Sequence, residues 1–244
     1  MFKYLDKSSY SLLPIELRNI SYNPNSNLII PNLNLRIESK GITVIMGPNG
    51  SGKSVLVRLL HGLLTPTNGS IMYGERNLNK LIRQKQAMVF QNPVLLRRSV
   101  LANMTFVDSI RENTGLANCK EILTLLGLEQ FQSHPAHLLS AGEKQRLALA
   151  RAIVLKPSIL FLDEPTANLD PSSIHLIEKI LKTARDAGVK IIFITHDINQ
   201  AKRIADDIIF IQKGKVLEYT ETNFFFNEPQ ASETAAYLDG KIIL

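Results

Sequence analysis

The chain of 244 residues is 45% hydrophobic and 20% charged, a composition that excludes a disordered or low-complexity protein. Its formal net charge of +6 favours anionic partners, yet no long run of like charges marks a nucleic-acid tail. The single cysteine, Cys119, excludes an intramolecular disulfide, and because the sequence lacks a signal-peptide pattern and a long apolar stretch, we expect it not to cross a membrane.

The predicted strands fall into two groups. Residues 15–38 and 69–74 have a mixed pattern and are expected to form antiparallel strands. Later strands are apolar without alternation, which is typical of a parallel sheet covered by helices on both faces. They are predicted at residues 42–46, 159–162, 191–194 and 208–211. Helices are predicted to start at Lys53, to run from about Gly142 to Leu155, and to follow Pro171. This order indicates an α/β architecture.

The first apolar strand leads directly into a glycine-rich loop. Its residues are Gly47, Pro48, Asn49, Gly50, Ser51, Gly52, Lys53 and Ser54, which fit the pattern G-x-x-x-x-G-K-[ST]. Backbone N–H groups of such a loop turn toward a phosphate, and the following helix dipole adds to the attraction. Lys53 supplies a charge for the β- and γ-phosphates, and the Ser54 hydroxyl is placed to coordinate Mg²⁺.

This loop predicts a nucleotide site but does not choose among kinases, GTPases, recombinase-like motors and transporter ATPases. The absence of an Asn-Lys-x-Asp motif disfavours a GTPase. Further along, Gln91 closes a predicted strand at 87–90, where its amide can contact Mg²⁺ or the attacking water. Residues 92–139 carry helical patterns, and we interpret them as a helical lobe inserted into the α/β core.

The lobe ends in a second candidate phosphate-binding turn, Ser140-Ala141-Gly142-Glu143, at the start of an apolar helix. A serine and a glycine at a helix N-terminus can bind an anion, although an ordinary N-cap has the same residues. One nucleotide per glycine-rich loop does not account for a second such turn. Two copies arranged head to tail do, with each turn closing over the nucleotide of the other copy.

Candidate catalytic side chains follow two of the apolar strands. Asp163 and Glu164 end the strand at 159–162, where open α/β sheets gather ligands. We expect Asp163 to hold Mg²⁺ and Glu164 to polarise the water that attacks the γ-phosphate. His196 follows the strand at 191–194, where its imidazole is placed to donate to the γ-phosphate.

These motifs, in this order and together with residues 167–170, resemble the ATP-binding subunit of ABC transporters over nearly the whole chain. The resemblance implies an α/β fold: a P-loop NTPase core with a mostly parallel sheet, an N-terminal antiparallel β subdomain and an inserted helical subdomain. It implies a single ABC ATP-binding domain over residues 1–244. The core with the β subdomain would take about 1–91 and 156–244, and the helical subdomain with the signature helix would take 92–155.

The resemblance also implies which residues bind ATP and Mg²⁺. An aromatic residue of the N-terminal strands is expected to stack on adenine, and Tyr22 matches that position. The expected ATP contacts are Tyr22, Gly47, Pro48, Asn49, Gly50, Ser51, Gly52, Lys53, Ser54, Val55, Ser140, Ala141, Gly142 and Glu143. The expected catalytic residues are Lys53, Gln91, Glu164 and His196, and the expected Mg²⁺ ligands are Ser54, Gln91 and Asp163.

Three features depart from the family pattern. Ala141 stands where glycine is usual, Glu143 stands where glutamine is common, and residues 167–170 read Ala-Asn-Leu-Asp rather than Ser-Ala-Leu-Asp. If the backbone at Ala141 needs a positive φ, the alanine would cost about 1 kcal/mol. The last departure concerns the coupling between two sites rather than the activity.

A finer resemblance, carried by residues 91–100 and 226–240, is to importers of oxyanions, first of the tungstate type and then of the phosphate type. It implies an ATP-bound homodimer around two Mg-ATP, a separate membrane permease that Arg97 and Arg98 would face, and, indirectly, an external substrate-binding protein. The chain would be cytoplasmic, peripheral on the inner face of the cell membrane.

Several alternatives stay open at this point. The cargo would be phosphate, an amino acid or another small solute instead of tungstate, or the chain would be a non-transport ABC ATPase acting on nucleic acid or the ribosome. The interval between Lys53 and Ser140 is too short for the long coiled coil that many such proteins carry, so no nucleic-acid partner is expected. Intact motifs argue against a catalytically silent module, and the lack of fused membrane helices disfavours an exporter.

Overall fold

The computed structural model describes residues 12–110 and 115–241. Within them the strands are β1 (Ile15–Tyr22), β2 (Ile30–Ile37), β3 (Ile42–Met46), β4 (Asn68–Tyr73), β5 (Arg76–Asn77), β6 (Gln86–Val89), β7 (Ile159–Asp163), β8 (Lys190–Ile194), β9 (Asp207–Gln212) and β10 (Lys215–Glu221). The α-helices are α1 (Lys53–His61), α2 (Lys80–Gln84), α3 (Val100–Ser109), α4 (Gly115–Leu125), α5 (Ala141–Val154), α6 (Pro171–Asp186), α7 (Ile198–Ile204), α8 (Thr222–Asn227) and α9 (Ser232–Leu238). Short 3-10 helices lie at Pro24–Ser26, Glu129–Phe131 and Ala136–Leu138.

A mostly parallel sheet forms the centre of the molecule, in the order β10-β9-β3-β8-β7-β6. Only β10 runs antiparallel to its neighbour, β9. Strand β3 is paired on both sides, with Ile42 opposite Ile191 of β8 and Val44 opposite Ile208 of β9. All residues of β3, β7, β8 and β9 are buried, as their continuous apolar sequences predict.

The two faces of this sheet bury two hydrophobic cores. Alternate residues such as Val44, Leu162 and Phe193 face one core, which they share with α3, α4, α5 and α6. The intervening residues, such as Ile45 and Phe161, face the other core, which they share with α1 and the N-terminal strands. Because side chains alternate along a strand, a run that is apolar at every position requires cover on both faces, and the structure supplies it.

A second, antiparallel sheet covers part of the second core, in the order β2-β1-β4-β5. Ile15 of β1 lies opposite Ile37 of β2 on one side and Tyr73 of β4 on the other. This sheet confirms the predicted N-terminal antiparallel strands. Together with the parallel sheet and its helices, it confirms the predicted α/β architecture.

Residues 92–139 are largely helical in the part that the structure describes, which excludes 111–114. Helices α3 and α4 pack against α5 through fully buried side chains that include Met104, Cys119 and Leu147. The buried carboxamide of Asn103 accepts from the backbone N–H of Leu96 (2.9 Å) and donates to its carbonyl (3.1 Å), which fixes the segment before α3. The division of the chain into subdomains at 91/92 and 155/156 stays a prediction.

The observed helices agree with their predicted starts to within a residue or two. Pro171 is the first residue of α6, and the Asp170 side chain caps it by accepting from the N–H of Ser173 (2.9 Å). Helix α5 begins one residue before the predicted start and ends at Val154. Across residues 12–110 and 115–241, no helix combines the length and the apolar character needed to span a membrane.

Candidate functional site

The glycine-rich loop lies at the carboxyl end of β3 and wraps around a buried lysine. Gly47 has a φ of 145°, and a Cβ at this position would lie 2.0 Å from the Ile211 carbonyl oxygen, so only glycine fits. The Lys53 ammonium donates to the carbonyls of Gly47 (2.8 Å) and Pro48 (2.9 Å). Burial lowers the pKa of Lys53, while the nearby carboxylates of Glu164 and Asp163 oppose that shift. The loop therefore holds a largely dehydrated cation at its centre.

Next to the loop, Ser54 of α1 and Asp163 of β7 form an oxygen pair. The Ser54 hydroxyl donates to Asp163 Oδ1 (2.8 Å), and the Arg58 guanidinium lies 3.8 Å from Asp163 Oδ2. Burial raises the pKa of the Asp163 carboxyl, and the hydrogen bond from Ser54 counteracts it. In the described ranges no cluster of three or more His, Cys, Asp or Glu side chains could hold a metal ion. A hydroxyl and a single carboxylate nevertheless fit Mg²⁺, which usually binds with few protein ligands and with substrate phosphates.

Two predicted catalytic side chains, those of Gln91 and His196, converge on one carboxylate oxygen of a third, Glu164. Glu164 Oε2 lies 3.4 Å from Gln91 Nε2 and 3.4 Å from His196 Nδ1. Glu164 has a φ of 46°, in the left-handed region that non-glycine residues rarely adopt. This conformation turns the chain sharply at the end of β7, and such local strain is common at functional sites. The side chain of His196 is 61% exposed, so its imidazole is open to a ligand.

The loop borders two cavities. The larger, about 810 Å³, is lined by Lys53, Ser54 and Val55 and also by Gln91 and Glu164. Its remaining lining residues are Asn27, Leu28, Ile29, Asn49, Gly50, Gly52 and Lys213. The smaller cavity, about 450 Å³, is lined by Gly47, Pro48, Asn49, Gln91, Glu164, Ala167, Asn168, His196 and Tyr237. Asn49, Gln91 and Glu164 border both cavities.

The first cavity includes residues that the sequence pattern did not indicate. Leu28, in the connection between β1 and β2, is 58% exposed, and Lys213 lies in the turn between β9 and β10. Tyr22 is not among the residues that line either cavity; its side chain is half-buried against the second core. Its contact with adenine stays a prediction, and the apolar side chains that line the larger cavity are those of Leu28, Ile29 and Val55.

Two side chains of α5 anchor the segment that carries Gln91. The buried Gln145 amide donates to the Phe90 carbonyl (3.0 Å), and Arg151 donates to the Val94 carbonyl (2.8 Å). Burial lowers the pKa of Arg151. The sequence did not single out Gln145, because it lies in a polar run between Lys144 and Arg146. These bonds link the position of Gln91 to the helical lobe.

The loop after Glu164 is held by a buried polar network. The Thr166 hydroxyl donates to Gln200 Oε1 (2.9 Å), and the Gln200 amide donates to Glu178 Oε1 (3.1 Å). Arg203 completes the network through an ion pair with Glu178 (2.7 Å). Since Gln200 lies in α7, which follows His196, the network joins the loops that carry Glu164 and His196. No sequence signal predicted it, because the three segments meet only in the fold.

The turn at Ser140 has the geometry of a capping box. The Ser140 hydroxyl accepts from the Glu143 N–H (3.3 Å), and the Glu143 carboxylate accepts from the Ser140 N–H (2.8 Å). Ala141 is the first residue of α5 and has no positive φ, so the backbone cost considered for it does not arise. A Cβ on Gly142 would lie 2.5 Å from Ser173 Oγ, which shows that this glycine allows α5 to approach α6 closely.

The structure thus brings together most of the predicted site. Lys53, Ser54, Gln91, Asp163, Glu164 and His196 meet around the glycine-rich loop. The turn at 140–143 lines neither cavity and packs against the start of α6 instead. Its expected contact with ATP would require the nucleotide of another copy.

Comparison with known proteins supports the fold described above. The family model described as ABC transporter matches residues 30–167. The tungstate uptake system ATP-binding protein TupC of Peptoclostridium acidaminophilum is 37% identical over 84% of this chain and 98% of its own. The phosphate import ATP-binding protein PstB of Mycoplasmoides gallisepticum is 32% identical over 95% of this chain and 77% of its own. The structure of cbiO1 from Clostridium perfringens, part of the ABC transporter complex cbiONQ, is similar with a TM-score of 0.78 and 29% identity, covering 88% of this chain and 90% of that one.

Proposed function

The chain belongs to the ABC transporter family and hydrolyses ATP, and we propose that it drives import of an oxyanion such as tungstate through a separate membrane subunit. The observation that carries the ATPase mechanism is the convergence of Gln91 and His196 on one oxygen of Glu164, beside the glycine-rich loop. This arrangement surrounds the place where a γ-phosphate and an attacking water would meet.

The glycine-rich loop binds the phosphates of ATP in this proposal. Lys53 donates to two loop carbonyls in the structure, and phosphate oxygens would replace one or both of them as its partners. Because the ammonium is buried, its attraction to phosphate is screened little by water. Ser54 and Asp163, with Gln91, would hold Mg²⁺, which neutralises phosphate charge when bound.

Glu164 acts on the attacking water. Its carboxylate accepts a hydrogen bond from the water and orients the oxygen toward the γ-phosphorus. A new P–O bond forms, the bond between the γ-phosphorus and the β–γ bridging oxygen breaks, and ADP leaves with the bridging oxygen. The proton of the water passes through Glu164 to phosphate. His196 donates to the γ-phosphate, and the Gln91 amide donates to Glu164 and keeps that carboxylate in place.

The proposal includes a head-to-tail homodimer in the ATP-bound state. The turn at 140–143 lines neither cavity of its own chain, and it begins a helix whose N-terminus favours an anion. In the dimer each turn would close over the ATP of the other copy. Loss of γ-phosphate contacts after hydrolysis would let the dimer reopen.

The proposed cargo and location rest on similarity. The names of the two relatives include tungstate uptake and phosphate import, which are both oxyanion transport. We place the chain in the cytoplasm, on the inner face of the cell membrane, bound to a permease subunit that receives its cargo from an external binding protein. Phosphate, an amino acid or another small solute are the alternative cargoes, and action on nucleic acid or the ribosome is the alternative function.

Glu164→Gln tests the mechanism directly. The variant is expected to bind ATP like the parent, to hydrolyse it at least about a hundredfold more slowly, and to accumulate as an ATP-bound dimer. ATP binding, phosphate release and oligomeric state by light scattering measure these three properties. Lys53→Ala is the matched control, since it should lose ATP binding itself. Hydrolysis by Glu164→Gln at the parent rate would show that Glu164 is not the base.

Purification of the tagged full chain from mild-detergent extracts tests the transport role. Co-purification of a multi-spanning membrane protein is the expected result, and the companion binding protein is then titrated with tungstate, molybdate and phosphate. Tight binding of glutamine or another amino acid instead would contradict the oxyanion assignment. Recovery of ribosomes or DNA-bound proteins would overturn the transport role and leave the ATPase mechanism intact.

A further inference from the structure

The C-terminal segment contributes a side chain to the catalytic cavity. Tyr237 of α9 lines the smaller cavity with Pro48 of the glycine-rich loop and with Glu164 and His196. None of the steps proposed above uses this tyrosine. Its position is notable because it lies on the last helix of the described chain, far in sequence from the other lining residues.

The residues before α9 are fixed by a buried carboxylate. Glu218 of β10 is 7% exposed and accepts from the backbone N–H groups of Gln230 (3.2 Å) and Ala231 (3.3 Å). Within α9, Thr234 is completely buried. Two main-chain hydrogen bonds to one carboxylate hold the entry to the helix in a defined place. Tyr237 is therefore carried on an anchored element.

Ring packing connects Tyr237 to the strand beside the glycine-rich loop. Its ring centroid lies 5.1 Å from that of Phe210 in β9, at an interplanar angle of 55°. Phe210 is fully buried and lies opposite Met46, the last residue before the loop, in the β9–β3 register. Because aromatic contacts of this kind restrict both rings, the tyrosine has a well-defined position over the end of β3.

The phenol beside Glu164 is uncharged at neutral pH. Burial raises the pKa of Tyr237, and the negative charge of Glu164 raises it further. The electrostatic influence of Glu164 on the phenol agrees with their places in the same cavity. Tyr237 thus shares a cavity with the carboxylate and adds no second negative charge to it.

We propose that Tyr237 is a positioning residue for ATP hydrolysis, whose ring forms the wall of the cavity next to Glu164 and His196. The ring limits the places that the attacking water can occupy and keeps bulk water away from the Glu164 carboxylate. This role rests on the proposed function of Glu164 as the base. Hydrolysis then depends on the docking of α9, which brings the C-terminal segment into the catalytic site.

The test compares Tyr237→Ala, Tyr237→Phe and Phe226→Ala in the full chain. Phe226 is the matched control, because it is a half-buried aromatic side chain of the neighbouring α8 that packs on the same core and does not line the cavity. Tyr237→Ala is expected to lower kcat about tenfold and to leave KM for ATP within about twofold. Tyr237→Phe keeps the ring and is expected to retain at least about half of the parent kcat.

Phe226→Ala should lose a similar amount of stability and keep the parent kcat. The proposal would be overturned if Tyr237→Ala kept the parent kcat. It would also be overturned if Tyr237→Phe or Phe226→Ala lost as much kcat as Tyr237→Ala does. Glu164→Gln in the same assay separates the two questions. If the parent hydrolyses ATP no faster than Glu164→Gln does, the proposed base is refuted. If the parent is much faster than Glu164→Gln and Tyr237→Ala is as fast as the parent, only the role of Tyr237 is refuted.

Discussion

Gly142 has two possible reasons to be a glycine, and a double-mutant cycle separates them. The sequence associates this residue with a phosphate-binding turn, while the structure shows it at the contact between α5 and α6. A Cβ at 142 would lie 2.5 Å from Ser173 Oγ, 3.2 Å from Ser173 Cβ and 3.3 Å from Asp170 Oδ2. Ser173 is 3% exposed, and its backbone N–H donates to Asp170 Oδ1 (2.9 Å). Hydrogen bonds from the Ser172 hydroxyl and from Ser173 hold the pKa of the Asp170 carboxyl below its usual range. The neighbouring atoms are therefore restricted.

Gly142→Ala combines a gain and a loss of stability. Alanine gains up to about 1 kcal/mol over glycine in a helix, and less in the first turn. Overpacking against Ser173 costs about 1–3 kcal/mol. In the parent background we expect Gly142→Ala to lower the free energy of unfolding by up to about 2 kcal/mol. In a Ser173→Gly background the clash is absent, so the same substitution should be neutral or stabilising.

Urea denaturation of the four proteins, followed by circular dichroism, measures the cycle. The expected coupling free energy is about 1–3 kcal/mol, because residues in contact couple and the other effects of Ser173→Gly cancel between the two arms. Additive effects within about 0.5 kcal/mol would refute the packing argument. ATP hydrolysis by the double variant then addresses the phosphate role: full stability with lost activity would show that Gly142 also makes room for a nucleotide.

Two further predictions concern buried polar side chains. Gln145→Leu removes the donor to the Phe90 carbonyl and is expected to lower the free energy of unfolding by about 1 kcal/mol, as measured by urea unfolding. Steady-state kinetics of the same variant should show that kcat falls more than ATP affinity does. Burial lowers the pKa of Lys190 to about 8, so as the pH rises the folded state releases this proton before the unfolded state does. The free energy of unfolding, measured relative to that of Lys190→Met, should therefore rise from about pH 8 to about pH 10. A difference between the two proteins that does not change with pH would contradict this.

The residues with local sequence signals were predicted well. Strands β3, β7 and β8 have continuous apolar sequences, and each is followed at once by chemistry-bearing residues. Parallel strands deliver such residues to one edge, so the convergence around Glu164 follows from the pattern. The left-handed conformation of Glu164 could not be predicted in this way, because nothing in its residue type favours a positive φ.

The contacts between distant segments were not predictable from the sequence. Gln145, Gln200 and Tyr237 reach the site from three separate helices, and their contacts depend on how those helices pack. Ala141 shows the converse case. A family pattern with glycine at this position raised the question of a strained backbone, whereas the observed helical start accommodates alanine without a positive φ.

The tethers of Gln91 connect the helical lobe to the carboxylate that we propose as the base. Gln145 and Arg151 bind the carbonyls on both sides of Gln91, so this segment follows α5. Asp163 and Glu164 belong to β7 and its loop, which is tied to α7 and α6 through Gln200. A rotation of α5 relative to the sheet would therefore change the 3.4 Å contact between Gln91 and Glu164 first. Since the Ser54–Asp163 pair lies between α1 and β7, it would stay intact, and Gln91 would move relative to this pair and to Glu164.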